Sequence, residues 1–442
     1  MFRLLITKIL FFIAISLSAQ QRNISKLAGH YEGGINRLGS IQIVRFDIYS
    51  KNDSVWATYD DPASAVFNAP FFKLDKLAGD TLLFNFGYGN FKCMFYTDVN
   101  EITGVNTGWN PRLELHMRKY GKKVLPSFTS EDIQYKNGNI TIAASFFKPV
   151  NIAKYPVVVL LHGSDITLRS TGYYYSLAYN LAENGIGVLL YDKRGCGNTS
   201  GDHETASFTD LATDAVAGVN YIKKRKDLPV TKIGLLGTSQ GCWVSYIAAK
   251  KSQDIQFVVA NVGPAVSLFQ QDMDRIKYSM QDEGYEERNI DSALIYSQKY
   301  FDYVDGKISW LNFQPKMKEA TISTFADYIN LPTKEQDEDV LWWRRNKYDP
   351  ADDLSTITCP VLSLMGGKDV LVPPASNEIL MNKYLTSAGI KYNIKTFPNC
   401  GHATEVFSTL KGGDWKFPDK FWIWKKKAPG FYETIVDWIK SI

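Results

Sequence analysis

Histidine is scarce in this chain. Among 442 residues there are five, His30, His116, His162, His203 and His402, so few side chains are available as a proton acceptor near neutral pH. Cysteine is equally sparse, at five. No paired C-x-x-C and no H-E-x-x-H occurs, so nothing has the ligand spacing of a zinc site, and no metal is expected. No G-x-G-x-x-G opens a helix after a strand, which leaves a dinucleotide without support, and no cofactor is expected. Basic blocks are absent and the formal charge is +4, two of it on Arg3 and Lys8; nucleic acid is therefore not expected as a partner. No internal repeat recurs, which argues against a propeller. Beyond Ile9–Leu17 there is no second long apolar stretch, so the mature chain is expected to have no membrane span.

What is present begins at the N-terminus. Arg3 and Lys8 precede the apolar run Ile9–Leu17, and Leu17-Ser18-Ala19 before Gln20 has the small residues of a cleavage site. Residues 1–19 therefore read as an export signal, which places the mature protein in the periplasm or outside the cell. The alternative is an uncleaved anchor, for which the run is short. No cysteine lies in or just after it, which argues against a lipoprotein. An odd number of cysteines leaves at least one thiol free in an exported chain. Cys359 and Cys400 fall at opposite ends of two successive strands. If those strands are parallel neighbours, the two residues lie on the order of 20 Å apart, against the roughly 7 Å that a disulfide allows. No disulfide framework is expected.

With 22% charged and 45% hydrophobic residues, the composition is that of a globular protein long enough for two domains. Residues 22–125 read as all-β. Ile41 to Ile48 and Leu82 to Phe86 alternate in polarity, and turn signals recur at Gly33-Gly34, Asp60-Asp61-Pro62, Ala78-Gly79-Asp80 and Asn110-Pro111. Seven or eight strands closed into a barrel or sandwich are expected. Residues 130–442 read as α/β. Continuous apolar runs such as Pro156–Leu161 and Ile186–Tyr191 suit strands buried on both faces of a parallel sheet. Helical stretches around Tyr174–Glu183 and Asp210–Lys224 alternate with them. Residues 267–348 interrupt this rhythm with a helical, aromatic-rich insertion that reads as a lid over the carboxyl edge of the sheet.

The informative stretch is Gly237-Thr238-Ser239-Gln240-Gly241. The strand-like Thr231–Leu236 precedes it, and a helical segment beginning with the small Cys242 follows. Strand, tight turn and helix is the setting in which G-x-S-x-G exposes a serine hydroxyl as a nucleophile. A serine needs a base, and the base needs a carboxylate to orient it. If the chain order is serine, acid, histidine, His402 is the one histidine C-terminal to Ser239. Asp369, in Gly366-Gly367-Lys368-Asp369, follows a strand and suits the acid. Asp349, Asp352 and Asp353 compete, but they precede that strand. An oxyanion hole needs two backbone N–H groups. Gln240 supplies one, and Ser164 or Gly163, in the loop after Pro156–Leu161, supplies the other. His162 reads as structural, hydrogen-bonded within that loop. The run Tyr191-Asp192-Lys193-Arg194-Gly195 reads as a loop held by a charge pair.

As a set, Leu161-His162-Gly163, Asp192-Lys193-Arg194-Gly195, Gly237–Gly241, Gly366–Asp369 and Gly401-His402 resemble the α/β-hydrolase superfamily. They are most similar to exported bacterial carboxylesterases of the prolyl-oligopeptidase and serine-aminopeptidase branch. The resemblance implies an α/β-hydrolase sheet, a Ser239–His402–Asp369 triad, and a small-molecule ester or acylated substrate. Cys242 departs from the glycine of many relatives, and either narrows helix–strand packing or exposes a thiol. A serine exopeptidase is the alternative, with Glu286-Glu287 to bind a substrate amine or, more simply, to lie on a solvated face. A third reading is a glycan- or partner-binding protein that uses Trp56, Trp109 and Tyr88 of the β module. Lid residues Trp310, Trp342 and Trp343 suit an apolar acyl or aryl group, or anchor the lid. The oligomeric state is left open. N-terminal sequencing of the exported protein should begin at Gln20; a mature chain retaining Arg3 and Lys8 would sink the cleavage assignment.

Overall fold

The computed structural model describes residues 26–37, 40–51, 54–61, 66–71, 73–76, 81–110, 112–121, 126–407 and 425–442. The export signal expected over residues 1–19 lies outside the described residues. The chain divides into two units, residues 1–125 with 407–426 and residues 126–406 with 427–442.

Among the described residues the first unit contains a sheet of nine antiparallel strands, β1 (Gly29–Arg37), β2 (Ser40–Lys51), β3 (Ser54–Asp61), β4 (Val66–Pro70), β5 (Lys73–Lys76), β6 (Thr81–Phe86), β7 (Gly89–Tyr96), β8 (Glu101–Asn106) and β9 (Leu113–Tyr120). Their order is β4-β3-β2-β1-β9-β8-β7-β6-β5. Each strand pairs with its sequence neighbour except across one seam between β4 and β5, and β1 joins β9. Alternation along β6 sends Leu82, Phe84 and Phe86 inward. The Tyr59 ring of β3 lies 5.2 Å from Phe86 of β6, and Phe71 stacks on Phe86 at 5.0 Å. Strands near opposite ends of the order thus share one core, so the sheet curls into a barrel. Among the described residues it has nine strands rather than the seven or eight expected, because the short β4 and β5 carry little alternation to read. Gly33 sits where β1 crosses β9, and a Cβ there would lie 2.0 Å from the His116 carbonyl oxygen. Trp56 and Trp109 are exposed, whereas Tyr88 is half-buried against Phe86 and donates to Asp61.

The second unit is built on eight strands, β10 (Phe128–Asn137), β11 (Ile140–Pro149), β12 (Tyr155–Leu161), β13 (Gly187–Tyr191), β14 (Val230–Thr238), β15 (Val258–Asn261), β16 (Val361–Gly366) and β17 (Tyr392–Phe397). Their order is β10-β11-β13-β12-β14-β15-β16-β17. The strands from β12 onward are parallel, and an antiparallel hairpin β10–β11 is added at the β13 edge. β12 is buried at every residue, as its unbroken apolar run requires. One face is covered by α1 (Gly172–Glu183) and α10 (Phe431–Ser441). The other is covered by α2 (Phe208–Lys224), α3 (Gln240–Lys251) and α9 (Pro374–Ala388). Helix α2 starts in a capping box, with the Asp210 N–H donating to Ser207 Oγ at 3.1 Å and the Ser207 N–H donating to the Asp210 carboxylate at 2.9 Å. Between β15 and β16 lies the helical insertion: α4 (Leu268–Asp282), α5 (Glu287–Val304), α6 (Trp310–Thr321) and α7 (Glu338–Arg345), followed by the short α8 (Ala351–Thr356). Among the described residues no helix is long and apolar enough to cross a membrane.

The chain runs from β12 to β13 on one side and then returns to place β14 on the other side of β12. Ligands bind at such a switch point, beyond the carboxyl ends of the strands. The loop after β12 and the turn after β14 meet there. All five cysteines are buried and free. A thiol reagent should accordingly find essentially no fast-reacting cysteine in the native protein and five after unfolding; a count of three on unfolding would mean a disulfide. Phe86→Ala should destabilise the first unit by about 3–5 kcal/mol, because a large side chain is removed from a filled core, as measured by chemical denaturation.

Candidate functional site

The site is assembled around a strained backbone. Ser239 has φ 54° and ψ −122°, a region that non-glycine residues leave unless the surroundings enforce it. Two glycines make room for the turn. A Cβ on Gly237 would lie 2.3 Å from the Gly241 carbonyl oxygen, and one on Gly241 would lie 2.5 Å from the Leu161 carbonyl oxygen. The Ser239 N–H donates to the Asn261 carbonyl of β15 at 3.0 Å, and the Cys242 N–H donates to the Ser239 carbonyl at 2.8 Å. The serine is thereby held between β14 and the first turn of α3. Cys242 is fully buried, its thiol donating to the Gly237 carbonyl at 3.1 Å, and burial pushes its pKa up. Of the two readings of Cys242, close packing is the one the structure realises; the thiol is not exposed.

His402 and Asp369 come together. His402 Nδ1 lies 2.8 Å from Asp369 Oδ2. A carboxylate only accepts, so Nδ1 carries the hydrogen and Nε2 is left with its lone pair. The other Asp369 oxygen accepts from the N–H groups of Leu371 and Val372, each at 2.9 Å, and the side chain is wholly buried. Glycine again permits the approach of the two loops. A Cβ on Gly366 would lie 2.4 Å from the Gly401 carbonyl oxygen, and one on Gly367 would lie 2.6 Å from the Pro398 carbonyl oxygen. The rival acids are engaged elsewhere. Asp349 caps the Ala351 N–H, Asp353 accepts from Tyr348 Oη, and Asp352 pairs with Lys250. Ser239 and His402 line one cleft of about 510 Å³. No hydrogen bond joins them among the described residues.

Of the expected oxyanion donors, Gln240 and Ser164 remain available. Gln240 is the first residue of α3, so its N–H has no acceptor within the helix. Ser164 lines the cleft beside it, and no acceptor for its N–H exists among the described residues. Gly163 does not qualify, because its N–H donates to Tyr174 Oη at 2.7 Å. Sequence gave no sign of this, since Tyr174 lies on α1, beyond the loop. His162 also differs from expectation. Neither ring nitrogen has a hydrogen-bond partner among the described residues. Its ring packs edge-on against Tyr174 and Tyr191 instead, with centroids at 4.7 and 5.2 Å. Burial, aided by the nearby Lys193 charge, lowers its pKa to about 3, so it stays neutral.

The loop after β13 holds the second side of the site. Arg194 grips Asp214 of α2 through two bonds of 2.8 and 2.7 Å, and Asp192 accepts from the Arg169 N–H at 2.8 Å and the Asn198 N–H at 3.0 Å. Lys193, between them, is 4% exposed. Its ammonium donates to Gly163 O at 2.9 Å, Gln240 Oε1 at 3.1 Å and Asp165 O at 3.2 Å. Desolvation lowers its pKa to about 8. Its pattern signal was slight: one lysine inside an otherwise structural loop.

The helical insertion forms the outer wall of the cleft through Leu268, Gln271, Asp272 and Arg275 of α4 and Trp342 and Trp343 of α7. Trp310 is not part of that wall; it packs on Tyr303 at 5.4 Å. Glu286 and Glu287 are exposed and away from the cleft, Glu286 pairing with Arg288. Asp272 is engaged by Arg275 at 2.8 Å and Asn330 at 3.1 Å. A serine held at the end of a strand, a histidine oriented by a buried carboxylate and two N–H groups without a protein acceptor among the described residues are the components that acyl transfer requires.

Comparison with known proteins agrees with this architecture. Residues 156–405 match the family model of the alpha/beta hydrolase fold. Esterase EstD of Thermotoga maritima is 27% identical over 283 residues, 62% of this chain and 60% of EstD, so the chain spans less than two thirds of that relative. A proline iminopeptidase of Clostridium botulinum is 30% identical over 149 residues, 33% of this chain and 46% of that protein. Among solved structures, the Pyrococcus furiosus esterase Pf2001 shares 16% identity at a TM-score of 0.43, covering 62% of this chain and 83% of that one. Est1E of Butyrivibrio proteoclasticus with ferulic acid bound also shares 16% identity, at a TM-score of 0.41, covering 70% of this chain and 96% of that one. The family match, the strand order and the turn at Ser239 agree, and the chain belongs to the α/β-hydrolase fold family.

Proposed function

We propose that the chain is an exported serine hydrolase that cleaves carboxylic esters through an acyl-enzyme on Ser239. The observation that carries this reading is the 2.8 Å contact between His402 and the buried Asp369, in a cleft shared with the strained Ser239. Ser239 Oγ attacks the ester carbonyl while His402 Nε2 takes its proton. The oxyanion settles on the N–H groups of Gln240 and Ser164. His402 then protonates the departing alcohol, and Asp369 holds the imidazolium in register. A water molecule, deprotonated by the same nitrogen, releases the acid and restores the serine. Trp342 and Trp343, which line the same cleft as Ser239, favour an apolar or aromatic group on the substrate. Export rests on the charged start and apolar run of residues 1–19.

The partial similarity to proline iminopeptidase raises a peptidase as the second reading. An exopeptidase needs a free carboxylate for the substrate amine. Glu286 and Glu287 lie outside the cleft and Asp272 is already bonded to Arg275 and Asn330, so among the described residues the peptidase reading turns on Asp165, which lines the cleft. Ser239→Ala should abolish turnover of short p-nitrophenyl esters. Asp369→Asn should lower kcat roughly 10³–10⁴-fold with little change in KM, because the histidine is left in the wrong tautomer. Ester turnover that survives Ser239→Ala, or release of aminoacyl-anilides without ester cleavage, would refute the assignment.

A further inference from the structure

We propose that Lys193 is a positioning residue of the oxyanion hole, tying the peptide that presents the Ser164 N–H to the residue that presents the Gln240 N–H. This rests on the reading of Ser239 as the nucleophile. The argument starts from the peptide unit. The carbonyl of Gly163 and the N–H of Ser164 belong to one planar trans amide, so they point in opposite directions. Lys193 Nζ donates to that carbonyl at 2.9 Å. A cation fixed on the oxygen side sets the plane and turns the Ser164 N–H the other way, toward the cleft that Ser164 lines. It also polarises the amide, which makes the N–H a stronger donor. The second bond, at 3.2 Å, goes to the Asp165 carbonyl. Asp165 itself stands at φ 66°, so the same ammonium braces the bend that follows. The third bond crosses to Gln240 Oε1 at 3.1 Å and joins the oxyanion loop to the start of α3.

An ammonium has three hydrogens and no lone pair. Here three acceptors meet it, one from each of three groups that must keep their spacing. A neutral amine has only two hydrogens, and its lone pair would face a carbonyl or amide oxygen. The clamp therefore requires the charged form. None of its acceptors is a carboxylate, so burial costs this lysine proton affinity, and its pKa falls to about 8. The titratable groups around it are His162, Asp165 and Cys196 in the adjoining loops. His203, Glu204 and Asp339 line a chamber of about 480 Å³ that Lys193 shares with Ser164 and Gln240.

Activity and stability then respond oppositely to alkali. In the folded protein Lys193 releases its proton near pH 8, whereas in the unfolded chain it holds it until about pH 10.4. The unfolded state binds more protons between these values, so this group makes the fold more stable as pH rises through the window. The oxyanion hole loses its clamp over the same range.

The test uses the full-length mature protein and p-nitrophenyl acetate. Wild-type kcat should fall on the alkaline side with an apparent pKa of about 8. Lys193→Met should lower kcat by about 10- to 100-fold, short of the loss of a whole donor, with KM changed less than about three-fold, and its residual activity should lack the alkaline limb. Gln240→Met, which removes one acceptor but keeps the backbone N–H, should give a smaller kcat loss and move the limb. Its profile carries the test if Lys193→Met does not fold. The proposal is overturned if Lys193→Met, or failing that Gln240→Met, keeps wild-type kcat and an unaltered limb. It also falls if the loss appears in KM rather than kcat. Should Ser239→Ala retain ester turnover, the nucleophile assignment and the clamp fall together; Ser239-dependent turnover with an indifferent Lys193 removes the clamp alone.

Discussion

A non-glycine residue at φ 54° and ψ −122° costs of order 1–3 kcal/mol, and this site is organised by what holds Ser239 in that state. The turn closes only if the first residues of α3 press against the backbone after β12, where a Cβ on Gly241 would meet the Leu161 and His162 carbonyl oxygens. It also needs β15 alongside, since the Ser239 N–H donates to Asn261. Close approach of β15 in turn needs Gly234, whose missing Cβ would lie 2.4 Å from the Phe257 ring. One strained residue therefore depends on the order β12-β14-β15, and that order aims the loop after β12 at the serine.

Buried polar groups around this turn are arranged by the same logic. A buried charge is tolerated when its bonding capacity is filled. Asp369 accepts from His402 and two backbone N–H groups, and Asp214 accepts two bonds from Arg194. Lys193 has three acceptors for three hydrogens. His162 takes the other route: with neither nitrogen bonded, it stays neutral between two tyrosine rings. The Gly163 N–H is occupied by Tyr174 Oη, whereas the next amide of the loop, that of Ser164 beside the cleft, has no acceptor among the described residues.

Much of this was legible in the sequence because local signals and covalent order carried it. The apolar run Pro156–Leu161 announced a strand buried on both faces, and the break in rhythm after Asn261 announced the helical insertion. Chain order together with a shortage of histidines left His402 as the one choice of base. Less was legible where a role depends on a partner distant in sequence. Nothing near Gly163 indicates that Tyr174 takes its amide, and nothing near Lys193 indicates three acceptors on the loop after β12 and the first residue of α3. The hairpin strand β10 and the short barrel strands β4 and β5 were equally faint, since their short or edge pairings impose little periodicity.

By itself the sequence determined the fold class and the strand–turn–helix setting of Ser239, because these follow from periodicity and glycine placement; the roles proposed for Ser239, Asp369 and His402 add the chain order that the α/β-hydrolase resemblance implies. Tertiary structure decided which backbone amides remain free, which carboxylate meets His402, and that Cys242 is packed away from the cleft. It also decided that Trp342 and Trp343 face the cleft while Trp310 and Glu286 do not. The physical reason is that hydrogen bonds and packing contacts are settled by distance in space, and the sheet brings together loops that lie tens to hundreds of residues apart in the chain.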